Sequence, residues 1–349
     1  MKTYDVYYPS QIDVGSWQAG YLENSKPDAW PYGLNQLGET SRVAFRYVDR
    51  QRSFKAAGRA LLTRSARQPL RRPESRVSLP VTWDERTALD VYLESGRAPF
   101  ASGVIWATDS LQLASAHLRL KLMHRVLRDT RALWCLSTAQ VEVVDSWLGS
   151  RSRMDGTKYL PFGIDADFYA PRSYVRNDLI LSVGGDRDRD PKTLFEALAS
   201  VIRAKPGVTA VVQTTSTLKP PAGVHVVRHV NHAELKELYA QATVIAVATK
   251  PNLHVSGMTV SLEAAATGRP VVITKTPGMN EYVREGTTGF MTPVGEPATM
   301  AERILSLLDD PDRAVEMGLE GRRHVMLNHT SKRMAARLAE ILDAGLRYE

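Results

Sequence analysis

One cysteine in 349 residues, Cys135, sits inside the apolar run ALWCL. A single thiol excludes both a disulfide framework and a cysteine-ligated metal site. No stretch approaches the ~18 apolar residues that a membrane-crossing helix needs. The N-terminus, MKTYDVYYPS, offers no apolar signal core. These absences lead us to expect a cytoplasmic protein. Excess charge is missing from most of the chain as well. The net charge is +7, yet residues 50–76 hold nine Lys and Arg against one acid, Glu74, so the remainder sums to −1. A local patch of this kind does not describe a nucleic-acid binder, and no aromatic-interleaved basic motif accompanies it.

The length suggests two domains of ~150–200 residues each. Short β-rich runs alternate with helical stretches. The strand candidates are 4–8, 43–48, 77–82, 103–107, 132–136 and 157–160, then 179–183, 208–213, 224–228, 244–248 and 271–274. Apolar strands divided by helices predict α/β architecture, with parallel sheets covered on both faces. Asp190-Pro191 reads as an N-cap followed by proline at the first helical position, with Leu194, Leu198 and Val201 at helical spacing behind it. Asn231 with Glu234 resembles a capping box. The stretch 158–171 (KYLPFGIDADFYAP) breaks regular structure and marks the domain boundary. The expected division is 1–165, 166–330 and a C-terminal helix within 331–349 packing back on the first domain.

The most informative stretch is HVSGMTVSLEAAATGRPVVIT, residues 254–274. Ser256 and Gly257 form a small-residue turn that opens a helix. Gly268 closes it. A helix that starts on such a turn presents unpaired N–H groups and a positive dipole end, which suits a phosphate. Thr259 and Glu263 lie four residues apart and share a face. One element therefore offers a phosphate cradle and a carboxylate able to accept from sugar hydroxyls. The bland alternative is a tight turn into a core-packed helix. A diphosphate also needs neutralising charge. Arg187 and Arg189, after the glycine turn at 184–185, supply it in the same domain, with Lys250 as a lesser candidate.

These segments, in this order, resemble the retaining glycosyltransferase family 4, of the GT-B fold. The resemblance runs from about Thr130 to Asp310 and is weak before Thr87. LWCLSTAQVEVVDSWL (133–148) looks like the last strand and helix of the acceptor domain, and LPFGIDADFYAP (160–171) like the linker. LSVGGDRDRDPKTLFEAL (181–198) looks like the donor domain's first strand, glycine turn and helix. VNHAELKELYAQATVIAV (230–247) looks like the segment beside the nucleobase, and PGMNEYVREGTTGFMTPVGEP (277–297) like the closing glycine-rich turn, Glu281 and strand.

The resemblance implies two Rossmann-like doubly wound domains with a cleft between them. It implies transfer of a sugar from a nucleoside diphosphate to an acceptor hydroxyl, with retention. The nucleotide-sugar donor site implied comprises Gly185, Arg187, Arg189, Val230, Ser256, Gly257, Met258, Thr259 and Glu263. Glu263 matches the acid that meets the ribose, and Arg189 aligns with the family's usual lysine. Asp109, after a strand of the first domain, is the candidate base toward the acceptor; otherwise it is an N-cap. Asp84 and Glu85 follow another strand in the same way. Asp109, Arg189 and Glu263 form the expected catalytic set, with no metal and no cofactor. The sequence departs from the family at Val255, where a first glutamate usually touches the donor sugar. It departs again at Trp106-Ala107-Thr108-Asp109, where a histidine is usual.

Other readings remain open at this point. DRDRD (186–190) could be an acidic metal motif, although its arginines oppose a cation and Asp190 reads as a cap. The chain could be a catalytically silent nucleotide-sugar-binding protein of the same fold. The expected acceptor is a carbohydrate, a lipid-linked sugar or a small natural product. The basic stretch 53–67 places Phe54, Ala57, Leu61 and Leu62 on one side and could touch anionic lipid. His254 could meet the donor sugar or pack at its turn. Trp30-Pro31-Tyr32-Gly33-Leu34 could line the acceptor side.

Overall fold

The computed structural model describes residues 2–39, 41–49, 78–95, 101–111, 117–149, 156–174 and 176–346. The basic stretch 53–67 lies outside them. Contacts divide the chain into two units, one made of residues 1–16, 34–160 and 335–349, the other of 17–33 and 161–334.

In chain order the first elements are β1 (Thr3–Pro9), α1 (Val14–Leu22), a 3-10 stretch (Pro31–Glu39), β2 (Arg42–Val48), β3 (Leu79–Thr82) and α2 (Glu85–Ser95). There follow β4 (Ala101–Gly103), α3 (Ala107–Ser110), α4 (His117–Asp129), β5 (Ala132–Cys135), α5 (Thr138–Leu148) and β6 (Lys158–Tyr159). The strands form a six-stranded sheet in the order β2-β1-β3-β4-β5-β6. Every ladder in it is parallel. One strand differs from expectation. β4 covers 101–103, not 103–107, because Ile105 and Trp106 already turn toward α3. Their N–H groups are taken by the Glu85 carboxylate at 2.8 and 3.0 Å, so they are unavailable to a ladder.

The second unit holds β7 (Leu179–Ser182), α6 (Pro191–Ala204), β8 (Thr209–Gln213), β9 (Val224–Val227), α7 (His232–Gln241), β10 (Val244–Val247) and α8 (Met258–Ala266). It continues with β11 (Val271–Thr274), a 3-10 turn (Met279–Glu281), β12 (Gly289–Thr292), α9 (Pro297–Asp309) and α10 (Pro311–Asn328). The last helix, α11 (Ser331–Leu346), begins in this unit, and its residues from 335 onward group with the first. The sheet order is β12-β11-β10-β7-β8-β9, again all parallel. Chain direction across the sheet therefore reverses between β7 and β10. In an open parallel sheet, the crevice beyond the C-terminal ends of two such strands is where ligands bind.

Local chemistry accounts for the elements that frame this crevice. β10 (VIAV) and β11 (VVIT) are buried throughout, as continuous β-branched runs in a covered sheet should be. Asp190 caps α6 by accepting from the Thr193 N–H at 3.1 Å, with Pro191 behind it. Leu194, Leu198 and Val201 then sink into the core beside Met300, Ile304 and Leu307 of α9. The capping box at the start of α7 is complete. Asn231 Oδ1 accepts from the Glu234 N–H, and Glu234 Oε2 accepts from the Asn231 N–H, both at 2.9 Å. α8 closes with the Gly268 N–H on the Ala265 carbonyl and the Arg269 N–H on the Ala264 carbonyl, the paired pattern of a Schellman end.

Residues 17–33 fall in the expected first domain by sequence, yet they group with the second unit. Specific bonds tie them there. Asp165 Oδ2 accepts from the Asp28 N–H at 2.9 Å, and the Ser331 hydroxyl donates to Asp28 at 2.5 Å. The Trp17 ring meets His232 edge-on at 5.3 Å. The Trp30–Leu34 turn is thus fastened partly to the second unit, with Tyr32 and Gly33 both at positive φ.

Candidate functional site

The loop after β7 and the loop after β10 are stitched together at the switch point. Residues Arg189 and Thr249 form an isolated antiparallel bridge. The Lys250 N–H donates to the Asp188 carbonyl at 2.8 Å, and the Asp190 N–H to the Ala248 carbonyl at 2.9 Å. This brings the DRDRD loop beside the turn that opens α8.

Arg189 occupies the centre. A side chain at Gly184 would place its Cβ 2.3 Å from Arg189 Nη2, and one at Gly257 would lie 3.0 Å from Nη1. Gly184 (φ +112°) and Gly257 (φ +96°) also hold backbone conformations that L-residues avoid. A side chain at either position would crowd the guanidinium between the two loops. Nε and Nη1 of Arg189 are buried and make no hydrogen bond. Buried donors are almost always satisfied. An anion is the group that would satisfy such a pair on a permanently charged side chain. Burial pulls the Arg189 pKa down, and the nearby charges of Asp186 and Glu263 oppose that. Gly185 is exposed, with open space around it. Arg187 turns outward and pairs through Nε with Asp188 at 3.1 Å.

Gly257 is the N-cap of α8, and no side chain caps the helix there. The start of the helix lies beside the Arg189 guanidinium, and of its first N–H groups that of Met258 is taken by the Val255 carbonyl at 3.1 Å. Met258 is buried and Thr259 half-buried. Ser256 donates its N–H to Asn252 Oδ1 at 2.9 Å. Val255 sits at φ +55° with its side chain buried. A β-branched residue in the left-handed region costs about 1–2 kcal/mol, and such strain gathers at ligand-binding turns.

One turn into α8, Glu263 is gripped by two phenols. Tyr239 donates to Oε2 at 2.8 Å and Tyr169 to Oε1 at 3.2 Å. Burial pushes the Glu263 carboxyl up to about 7, although the two phenols and the Arg189 charge pull the other way. Burial and the Glu263 charge raise both tyrosines well above their usual value. The rings of Tyr169 and Tyr239 meet edge to face at 6.0 Å. The Tyr169 hydroxyl also lies 3.4 Å from His232 Nδ1. Burial, then the Lys26 charge, lowers His232 to about 4, so that ring is neutral near pH 7. Val230 immediately precedes the Asn231 cap of α7 and is half-buried.

Two arginines, Arg269 buried and Arg322 half-buried, hold this arrangement from behind. Arg269 donates to the carbonyls of Tyr239, Ala240, Arg172 and Ser173 at 2.6–3.2 Å. Arg322 donates to the carbonyls of Ala166 and Ala266 at 2.7 and 3.0 Å. Together they fix the backbones that carry both phenols.

The fold thus brings Arg189, Ser256, Gly257, Met258, Thr259 and Glu263 to one end of the sheet in the second unit. Asp109 belongs to the first unit, where it lies inside the short α3, whose N-cap is Trp106. The N-cap alternative therefore does not apply to Asp109. It does apply to Asp84, which accepts from the Thr87 N–H at 2.8 Å. Glu85 is fully internal. His254 has both ring nitrogens turned to acids, Nε2 to Asp186 at 2.7 Å and Nδ1 to Asp188 at 3.7 Å. Asp186 and Asp188 are accordingly engaged with His254 and Arg187. Sequence reasoning did not find Tyr169, Tyr239, Arg269 or Arg322. Tyr239 reads as one more apolar position of an ordinary helix, and Tyr169 as a linker residue.

Residues 177–310 match the sequence profile of the family described as "Glycosyl transferases group 1". The chain is 31% identical over 213 residues to a GDP-mannose-dependent alpha-(1-6)-phosphatidylinositol monomannoside mannosyltransferase of Mycolicibacterium smegmatis. That match covers 53% of this chain and 56% of the relative. It is 32% identical over 150 residues to a D-inositol 3-phosphate glycosyltransferase of Corynebacterium efficiens, covering 42% of this chain and 34% of the other. The chain thus spans about half the length of the first of these curated relatives, and less of the second. In structure it resembles Anabaena Alr3699/HepE, solved in complex with UDP and glucose, with a TM-score of 0.70 at 16% identity over 99% of this chain and 100% of that one. It also resembles the sucrose-phosphate synthase of Thermosynechococcus elongatus, with a TM-score of 0.66 at 13% identity over the full length of both. The fold is that of the GT-B glycosyltransferases, two Rossmann-like units with a parallel six-stranded sheet in each, and residues 177–310 match the group 1 glycosyl transferase family.

Proposed function

We propose that this chain is a retaining glycosyltransferase that moves a sugar from a nucleoside-diphosphate sugar to an acceptor hydroxyl without a metal ion. The observation that carries the reading is Arg189, a half-buried cation whose Nε and Nη1 are buried and unsatisfied beside the N-terminus of α8, which no side chain caps. Its place at the switch point of a parallel sheet supports the same conclusion.

In this reading the diphosphate lies between Arg189 and the N–H groups of Gly257 and Thr259, that of Met258 being held by the Val255 carbonyl. As the sugar C1–O bond breaks, its electron pair goes to the leaving diphosphate. Preorganised donors and the helix dipole stabilise that charge. The acceptor oxygen forms the new bond to C1 on the same face, and its proton passes to a phosphate oxygen. No enzymic nucleophile is needed. Glu263 accepts from the ribose hydroxyls, displacing one or both phenols. Val230 and the start of α7 lie beside the base. The first unit receives the acceptor, with Asp109 as the group that assists its hydroxyl. A lipid-linked inositol or mannoside acceptor fits the names of the relatives, as does a simpler carbohydrate or small natural product.

One observation favours a second reading, a silent nucleotide-sugar-binding protein. Val255, apolar and buried, stands where the resembled family has an acid toward the donor sugar. Release of nucleoside diphosphate from UDP-, GDP-, ADP- and dTDP-sugars in EDTA, with a panel of mannoside, inositol and lipid-linked acceptors, separates the two. Turnover of any pair supports the enzyme. Tight donor binding with no turnover across the panel contradicts it.

A further inference from the structure

The loop 184–189 and the turn 254–257 form the two walls around Arg189, and each has a structural problem to solve. The turn holds two left-handed residues, Val255 and Gly257. The valine resists that conformation, so something outside the turn must hold it there. The loop carries two acids, Asp186 and Asp188, next to where an anion would sit. Unpaired, they would repel it.

His254 answers both needs. It is 3% exposed and reaches across from the turn to the loop. Its Nε2 lies 2.7 Å from Asp186 Oδ2, and its Nδ1 lies 3.7 Å from Asp188 Oδ2. Asp186 is held in turn by the Asp188 N–H on Oδ1 at 3.1 Å. Burial raises the Asp186 pKa, but the bond and charge of His254, with that N–H, overcome it and leave the carboxyl well below its usual range. From the other side, Asn252 accepts from the Ser256 N–H and donates to the Lys250 carbonyl at 2.8 Å, which fastens the turn to the loop after β10.

We propose that His254 and Asp186 are a positioning pair that pins the turn 254–257 against the loop 184–189, and so sets the gap in which Arg189 meets a diphosphate. The inference rests on the nucleotide-sugar reading above and assigns to that site two residues that touch no sugar. The pair joins the two walls around Arg189, whereas Glu263 is held by Tyr169 and Tyr239, so the effect of the pair falls on phosphate recognition.

The test compares two probes on the full chain in EDTA. One is whichever of UDP, GDP, ADP and dTDP binds most tightly; the other is its nucleoside. His254→Phe keeps the bulk and removes the bond. His254→Gln keeps an N–H that reaches Asp186. His254→Phe should lose 10- to 100-fold in affinity for the diphosphate and less than twofold for the nucleoside. His254→Gln should stay within fivefold of wild type for both. Asp186→Ala should match His254→Phe, and the double variant should be no worse than either single, as expected of residues that act as one unit. Equal loss for diphosphate and nucleoside, an additive double variant, or a tenfold loss in His254→Gln would each overturn the proposal. If wild type binds the diphosphate and His254→Phe binds it equally well, this inference alone fails. If wild type binds none of the four, the function proposed above fails and this inference with it.

Discussion

In each unit a glutamate near the C-terminal end of the sheet is pushed up to about 7, chiefly by burial of its carboxyl. The two acids are used in opposite ways. Glu85, in the first unit, is 1% exposed and gives both oxygens to the N–H groups of Ile105 and Trp106. Those donors belong to the backbone and have nowhere else to go. Glu263, in the second unit, gives both oxygens to phenols, and phenol hydroxyls can rotate away. A perturbed pKa marks a costly carboxylate in both places. The partners decide what the cost maintains. Glu85 holds a turn in shape. Glu263, in the proposed function, keeps an acid ready for hydroxyl donors that can be exchanged.

The contrast can be broken by measurement. Arg189→Ala, at the centre of the proposed phosphate site, should show the largest effect. It removes a charge whose hydrogen bonds to an anion are worth about 1.5–3 kcal/mol each. Affinity for the best-binding nucleoside diphosphate should fall ~100-fold or more, read by calorimetry, with the nucleoside little affected. Retention within threefold would remove Arg189 from the site.

Glu85→Ala should come next, and on stability instead of binding. It leaves two buried N–H groups unpaired, at about 1–3 kcal/mol each. Chemical denaturation should report that loss while nucleotide affinity holds. An affinity loss as large as that of Arg189→Ala would erase the distinction between the units.

Glu263→Gln should do the reverse. The amide retains shape but weakens acceptance from ribose hydroxyls, so affinity should fall ~10-fold, about 1.4 kcal/mol. Stability above pH 7 should stay level or rise, since a buried charge has been removed. Destabilisation instead would make Glu263 a structural residue like Glu85.

The smallest effect is in the pH dependence. A carboxyl raised to about 7 in the fold keeps a proton that the unfolded chain releases near 4.5. The unfolded state then binds fewer protons, so this group's contribution to stability declines as pH climbs from about 4.5 to 7 and is level above. Nucleotide affinity should move the other way and strengthen through pH 7, as the carboxylate forms. In Glu263→Gln both slopes should flatten. An unchanged affinity slope would assign it to another group.

Much of this was legible in the sequence because it is local. Parallel strands, the Asp190-Pro191 cap, the Asn231–Glu234 box and the turn-to-helix at Gly257 all follow from residues within a few positions of one another. Glu263 and Arg189 could be singled out by spacing and resemblance. β12 came from the resemblance alone, since its GFMT run is too short to stand out. The partners of those residues were not legible. Tyr239 lies 24 residues from Glu263 and Tyr169 lies 94 away, and His254 meets an acid 68 residues distant. No periodicity encodes such pairings. Glu85 reads as a possible functional acid, and its occupation by the 105–106 backbone appears only once β4 ends at Gly103. The attachment of residues 17–33 to the second unit is equally long-range.

The most direct test of the central claim is calorimetric titration of the intact chain with UDP, GDP, ADP and dTDP in EDTA. The account predicts that one binds selectively, at micromolar or better affinity, without added metal. Binding of none of them, or binding rescued only by Mg²⁺, would contradict it.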